Sequence, residues 1–95
     1  MKFIVYRLEY KDGAIDVKLS YVQRAYLYYL DDHGGELRFD YLKISEEQRR
    51  HLGELVRLGC LLVLPIIGER PSLVTHRLTD GGRNIVAAIR KAGGP

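Results

Sequence analysis

Apolar and polar residues alternate along the opening of the chain. In "KFIVYRLEYKDGAIDVKLS" the period is two, and Asp12-Gly13 between the alternating flanks suits a two-residue hairpin turn. That turn pairs Lys11 with Ala14. It sets Tyr10 across from Ile15, Leu8 across from Val17 and Tyr6 across from Leu19, an apolar face assembled from both strands. Arg7, Glu9, Asp16 and Lys18 fall on the other face. At Ser20 the pattern becomes helical. "SYVQ" is a Ser-x-x-Gln capping box, which predicts helix one over 21–32 with an inward stripe of Val22, Ala25, Tyr26, Tyr29 and Leu30, ended by Gly34-Gly35. Tyr21 and Tyr28 lie together on the flank of that stripe and Leu27 faces away from it. These three are candidates for a subunit interface, alongside the N-terminal hairpin, which could pair edge to edge across a two-fold axis, and the final helix.

"ELRFDYLK" reads either as a two-turn helix two or as an extended lead-in followed by a turn. Ser45 opens a second capping box, "SEEQ", with Glu46 and Glu47 in the first turn, where the helix dipole favours negative charge. Helix three is therefore expected from Glu46 to near Gly59, a natural left-handed cap. Its core stripe is Leu52, Leu55, Val56 and Leu58, and its outward face is Arg49, Arg50, Gly53, Glu54 and Arg57. The run "CLLVLPII" is too short and too branched to prefer helix. Together with "SLVTHRL" it predicts a second hairpin over 61–78, with Glu69 and Arg70 at the tip and Pro65 at an edge position or a bulge. A final helix follows, with Thr79 as its N-cap, an apolar side of Ile85, Val86 and Ile89, and Arg90 and Lys91 near its C-terminal end.

With 95 residues, 46% of them hydrophobic, one core is the expectation: a single domain over 1–95. The net charge of +3 says little by itself, but its distribution is uneven. Residues 1–40 hold six Lys/Arg and seven Asp/Glu, whereas residues 41–95 hold nine and five. The single cysteine, Cys60, lies in an apolar run and reads as a buried thiol. No stretch approaches the roughly 18 apolar residues of a membrane helix, so a soluble, cytoplasmic protein is expected.

The order hairpin, helix, short helix, capped helix, hairpin, helix resembles the winged helix-turn-helix transcription regulators, in particular the small MarR-like and PadR-like group. "ISEEQRRHLGELVRLGCLLV" is similar to that group's recognition helix running into the first wing strand. "HRLTDGGRNIV" is similar to the Leu-Thr-x-x-Gly-Arg that opens its post-wing helix. The resemblance implies an α+β fold: a winged helix-turn-helix with a three-helix core, a β-hairpin wing and a C-terminal helix, preceded by an N-terminal β-hairpin. The hairpin occupies 1–19, the helix-turn-helix and wing 20–78, and the C-terminal helix and tail 79–95. The N-terminal hairpin departs from the family pattern, in which helices commonly precede the core.

The same resemblance implies a homodimer on double-stranded DNA, with helix three in the major groove and the wing on the backbone or the minor groove. Arg49, Arg50 and His51 lie one turn into helix three, and arginine can pair bidentately with guanine, which makes Arg49 and Arg50 the base-contact candidates. Gln48 can face an adenine or serve only its capping box. Gly53 costs a helix about 1 kcal/mol, and the missing side chain would let a phosphate or another helix approach. Arg57, Lys43 before the helix, Arg70 on the wing and Arg77 beside it are candidate phosphate contacts. Glu46 and Glu47 oppose this reading, because they would repel phosphates unless one accepts a hydrogen bond from cytosine. A winged helix that binds protein instead is the alternative. A third reading places a ligand pocket among Tyr26, Tyr29 and Tyr41. His33, His51 and His76 lie on different elements without ligand spacing, and no serine or cysteine sits in a nucleophile motif, so neither an enzyme nor a metal or other cofactor is expected.

Overall fold

The computed structural model describes residues 3–10 and 12–95, the side chain of Tyr10 excepted. In chain order it contains β1 (Phe3–Tyr10), β2 (Gly13–Ser20), α1 (Tyr21–Asp32), β3 (Glu36–Asp40), a 3-10 turn (Tyr41–Lys43), α2 (Glu46–Arg57), β4 (Leu61–Pro65), β5 (Leu73–Leu78) and α3 (Asp80–Lys91). β1 and β2 form an antiparallel sheet of two strands, and β3, β5 and β4 form a second antiparallel sheet with β5 in the middle. This is a small α+β fold. No helix among the described residues is long and apolar enough to cross a membrane.

Both capping boxes form. The Ser20 hydroxyl accepts from Gln23 N while Gln23 Oε1 accepts from Ser20 N at 3.0 Å, and Ser45 and Gln48 repeat the exchange at the start of α2. The helices close where glycine was expected to close them. Gly35 N donates to Leu30 O and Gly34 N to Asp31 O, and after α2 the pair is Cys60 N to Leu55 O and Gly59 N to Val56 O. This pattern needs a left-handed residue, which Gly34 and Gly59 supply with φ of 84° and 82°.

The hairpin register differs from the expectation by two residues. Leu8 pairs with Ile15, Tyr6 with Val17 and Ile4 with Leu19, and the strands close on Tyr10 and Gly13. Lys11, expected opposite Ala14, lies outside the described residues, and Ala14 pairs with Glu9. A slip of two preserves which face each side chain takes, so Leu8, Val17 and Leu19 still point inward and are buried.

Helix α1 has the expected ends but is rotated from the expected stripe. Leu27, expected to face away, is fully buried with Leu30 and Gln23, whereas Val22 and Tyr29 are about half exposed. The stripe reading assumes one apolar side. α1 instead touches β2, the three-stranded sheet, α2 and α3, so its buried surface is centred on the i, i+4, i+7 positions Gln23, Leu27 and Leu30. Arg24 goes inside as well, its Nη1 donating to Leu19 O at 2.8 Å.

Of the two readings of "ELRFDYLK", the extended one holds. β3 pairs with β5 from Glu36↔Arg77 to Asp40↔Leu73, and the turn of 3-10 helix that follows replaces the expected helix two. The expected core helix before α2 is therefore missing, and the described chain has three α-helices where four were expected. The second hairpin falls where expected, with Pro65 at the end of edge strand β4, where its lack of an N–H costs no ladder bond. α3 docks on the junction after α2. The Thr79 hydroxyl caps Gly82 N and donates to Gly59 O, and Gly82 packs so closely on the Cys60 carbonyl that no side chain fits there. Cys60 is buried, and desolvation pushes its thiol up to about 11.

His76, in central strand β5, is fully buried, and each ring nitrogen meets a tyrosine hydroxyl: Tyr26 at Nδ1 and Tyr41 at Nε2, both at 2.8 Å. A neutral imidazole has one N–H, so one hydroxyl accepts from the ring and the other donates to it. Phe39 stacks on the ring at 4.8 Å between centroids. Burial holds His76 down at about 4, whereas in the unfolded chain a histidine titrates near ~6.5. As pH falls the unfolded chain takes up this proton first, so the contribution of His76 is complete above about pH 6.5 and is lost on the way down to 4. Urea unfolding at pH 7.5 and pH 5 should show the wild type losing about 2 kcal/mol more than His76→Gln over that interval, the loss approaching roughly 1.4 kcal/mol per pH unit only below the unfolded value. Equal losses would mean that His76 titrates normally in the fold.

Candidate nucleic-acid interface

The face of α2 opposite Leu52 and Leu55 carries Arg49, Arg50, Gly53 and Arg57, all exposed. The helix is presented this way because its buried side rests on α1 and β4 while its N-terminus is fixed to the 3-10 turn. Several bonds converge on that turn. Asp40 caps it by accepting from Leu42 N at 3.0 Å, Tyr41 N donates to Ser72 O at 3.0 Å, and Arg49 Nη1 donates to Tyr41 O at 3.0 Å.

These contacts divide the candidate residues. Arg49 is engaged with the turn, and its guanidinium ties α2 to the element before it. Arg50 makes no hydrogen bond or ion pair among the described residues, and neither does exposed Lys43. Arg57 grips Glu54 with two guanidinium nitrogens, which lowers the Glu54 carboxyl and raises Arg57. Arg70 reaches from the β4–β5 loop to Asp40 at 2.7 Å, holding that carboxyl below its usual range, and Arg77 pairs with Glu36 across the β3–β5 ladder at 2.7 Å. Arg57 and Arg77 pair with exposed carboxylates and can exchange them for a phosphate at small cost, whereas the Asp40 carboxylate beneath Arg70 is largely buried and also accepts from Leu42 N, so that pair is part of the fold. Gln48 spends its Oε1 on the capping box and is one of the residues that line a cavity.

That cavity, about 100 Å³, lies between α1 and α2 over a floor that includes Val22, Tyr26, Phe39 and Leu52. Beside it a more polar depression is lined by Gln23, Glu47, Arg50, His51 and Glu54. His51 is half buried here, 3.9 Å from Glu47, and not on the open face with Arg50. Tyr26 and Tyr41 do come together, on His76, but Tyr29 does not join them; it lies against His33. Among the described residues no group of three His, Cys, Asp or Glu could hold a metal ion.

The expected subunit-interface residues are dispersed. Tyr21 is exposed, Leu27 is in the core and unavailable to any partner, and Tyr28 is half buried beneath Arg90, whose guanidinium carbon lies 4.4 Å from the ring centroid while its nitrogens bind Asp31 and Asp32. Two structural residues escape the sequence reading, Arg24 and His76. Alternation marks His76, because it shares a strand face with Val74 and Leu78, both buried. No comparable pattern marks Arg24.

Comparison with protein-family models, curated proteins and solved structures finds no match to this chain.

A Cβ at Gly53 would meet nothing within 4 Å. Gly53→Ala should therefore stabilise α2 by about 0.5–1 kcal/mol, raising the thermal midpoint by a few degrees. A lower midpoint would mean that the free protein already uses the space above Gly53.

Proposed function

We propose that the protein binds double-stranded DNA sequence-selectively as a homodimeric transcription regulator, with α2 in the major groove and the β4–β5 hairpin on the backbone or minor groove. The observation that carries this reading is the open face of α2: a capped helix of 12 residues with Arg50 unengaged, Gly53 leaving room for close approach, and Arg57 one turn on. Lys43 and Arg77 supply phosphate contacts, Arg77 by exchanging the exposed Glu36 carboxylate, and Arg70 offers its exposed side to a phosphate while it keeps Asp40. Arg50 becomes the principal base reader, while Arg49 sets the pose of the helix. Glu46 and Glu47 stay near the groove, where they penalise indiscriminate phosphate binding and favour a reader of particular bases. The resemblance of the α2 and α3 motifs to winged-helix regulators supports the same reading, which is of a cytoplasmic protein with no enzymatic role and no cofactor.

A second reading, a winged-helix module that binds protein, is favoured by one observation. Leu42 and Ile67 are 75% and 99% exposed in the 3-10 turn and the β4–β5 loop, two segments joined by the Arg70–Asp40 pair. Exposed apolar side chains suit a protein surface better than a phosphate backbone.

Fluorescence anisotropy with a pool of labelled random duplexes, followed by sequencing of the retained fraction, separates the two. Engagement of four or five phosphates gives a slope of log affinity against log salt of about −4. Arg50→Ala should weaken binding to the enriched duplex by roughly 5- to 150-fold, the worth of a bidentate base contact, without changing the thermal midpoint. Absence of binding at low salt, or affinity indifferent to Arg50→Ala, would overturn the proposal.

A further inference from the structure

The N-terminal hairpin plays no part in the proposed DNA contact, yet β1 and β2 are the longest strands in the molecule, eight residues each and paired throughout without a bulge. Each keeps one edge with no strand beside it among the described residues. Neither carries a proline, and neither is short, so two common ways of blunting an exposed edge are missing. β1 lies against α3, its Leu8 side chain close to Gly81. The turn-proximal half of β2, Gly13 to Asp16, is exposed. Ile15 belongs to the face that buries Leu8, Val17 and Leu19 but remains 46% exposed. The apolar face thus runs out at Ile15, beside an edge that is exposed from Gly13 to Asp16 and at Lys18 and is closed at Ser20, whose N–H is taken by Gln23.

The charges on β2 select one way of covering it. Asp16 and Lys18 share the outer face on either side of Val17. Antiparallel pairing of β2 with the same strand of a second copy, Val17 opposite Val17, places Asp16 opposite Lys18 of the second copy twice over and Ile15 opposite Leu19 twice over. The neighbouring registers that keep the apolar faces together are centred on Asp16 or on Lys18, and each sets like charges directly opposite. A shift by one residue would turn the apolar face of one copy toward the polar face of the other.

We propose that β2 pairs with β2 of a second copy across a two-fold axis at Val17, joining the hairpins into one four-stranded antiparallel sheet. The contact is isologous and closes as a dimer. This inference rests on the homodimer in the reading above and is independent of DNA binding.

The test is the oligomeric state of the full chain by analytical ultracentrifugation at moderate salt, with circular dichroism to verify folding. The wild type should sediment as a dimer. Asp16→Lys and Lys18→Asp each set like charges across the axis and should raise the dimer dissociation constant about tenfold or more. The double variant, Asp16→Lys with Lys18→Asp, restores opposite charges and should return to within a few-fold of wild type. Asp16 also faces Arg7 within its own hairpin, and the double variant keeps that new repulsion, so its recovery reports on the contact between copies. A wild type monomeric at micromolar concentration, a dimer indifferent to the single swaps, or a double variant no better than the singles would each overturn the proposal. A dimer that behaves as described but binds no duplex would refute the DNA reading alone.

Discussion

The geometry of the second half of the molecule depends on the short 3-10 turn at Tyr41 and the buried imidazole beneath it. His76 is held from two sides, by Tyr26 of α1 and Tyr41 of the turn. Neither hydroxyl can be removed without stranding a ring nitrogen in a place water does not reach, and an orphaned buried polar group costs about 1–3 kcal/mol. The turn is bound at the same time to the β4–β5 loop through Ser72, by Asp40 to Arg70, and to α2 through Arg49. A single side chain in the core therefore fixes the start of α2 relative to the sheet and the loop beyond it. Where a second core helix was one expectation, this chain has three residues of 3-10 helix and a set of hydrogen bonds.

Electrostatics on the presented surface are restrained. Arg57, Arg70, Arg77 and Arg90 all have carboxylate partners within their own chain, and much of the excess positive charge after residue 40 is neutralised locally. A surface built this way holds polyanions loosely unless a particular arrangement of partners rewards the exchange. Under the proposed reading, that restraint separates a selective DNA binder from a nonspecific one. The exposed Leu42 and Ile67 beside the same turn set the limit of the reading, because nothing in DNA recognition by α2 requires them.

Local signals were legible where the physics is local. Ser20, Gln23, Ser45, Gln48 and Thr79 marked helix starts that the structure reproduces, since a cap is satisfied within one turn of its own residue. Gly34 and Gly59 marked helix ends for the same reason. Misreadings arose where tertiary packing decides. Leu27 faces inward because α1 is covered on several sides, a fact that periodicity on one helix cannot contain. The register of the first hairpin lies two residues from the one read at Asp12-Gly13, and burial of Leu8 and Val17, which both registers allow, fixes only the face that turns inward. Of the eight residues placed on the DNA-facing surface by sequence, seven are exposed side chains and Gly53 is an exposed gap. What the sequence could not show is that Arg49 is committed to the Tyr41 carbonyl and Arg50 is not.

The central claim, that the outer face of α2 meets DNA, is most directly tested by titrating the 15N-labelled protein with a duplex enriched by selection and mapping amide shift changes. The account predicts perturbations concentrated in 43–57, in the loop 66–72 and around Arg77, with the amides of β1 and β2 undisturbed. Perturbations confined to the cleft between α1 and α2, or to the N-terminal hairpin, would contradict it.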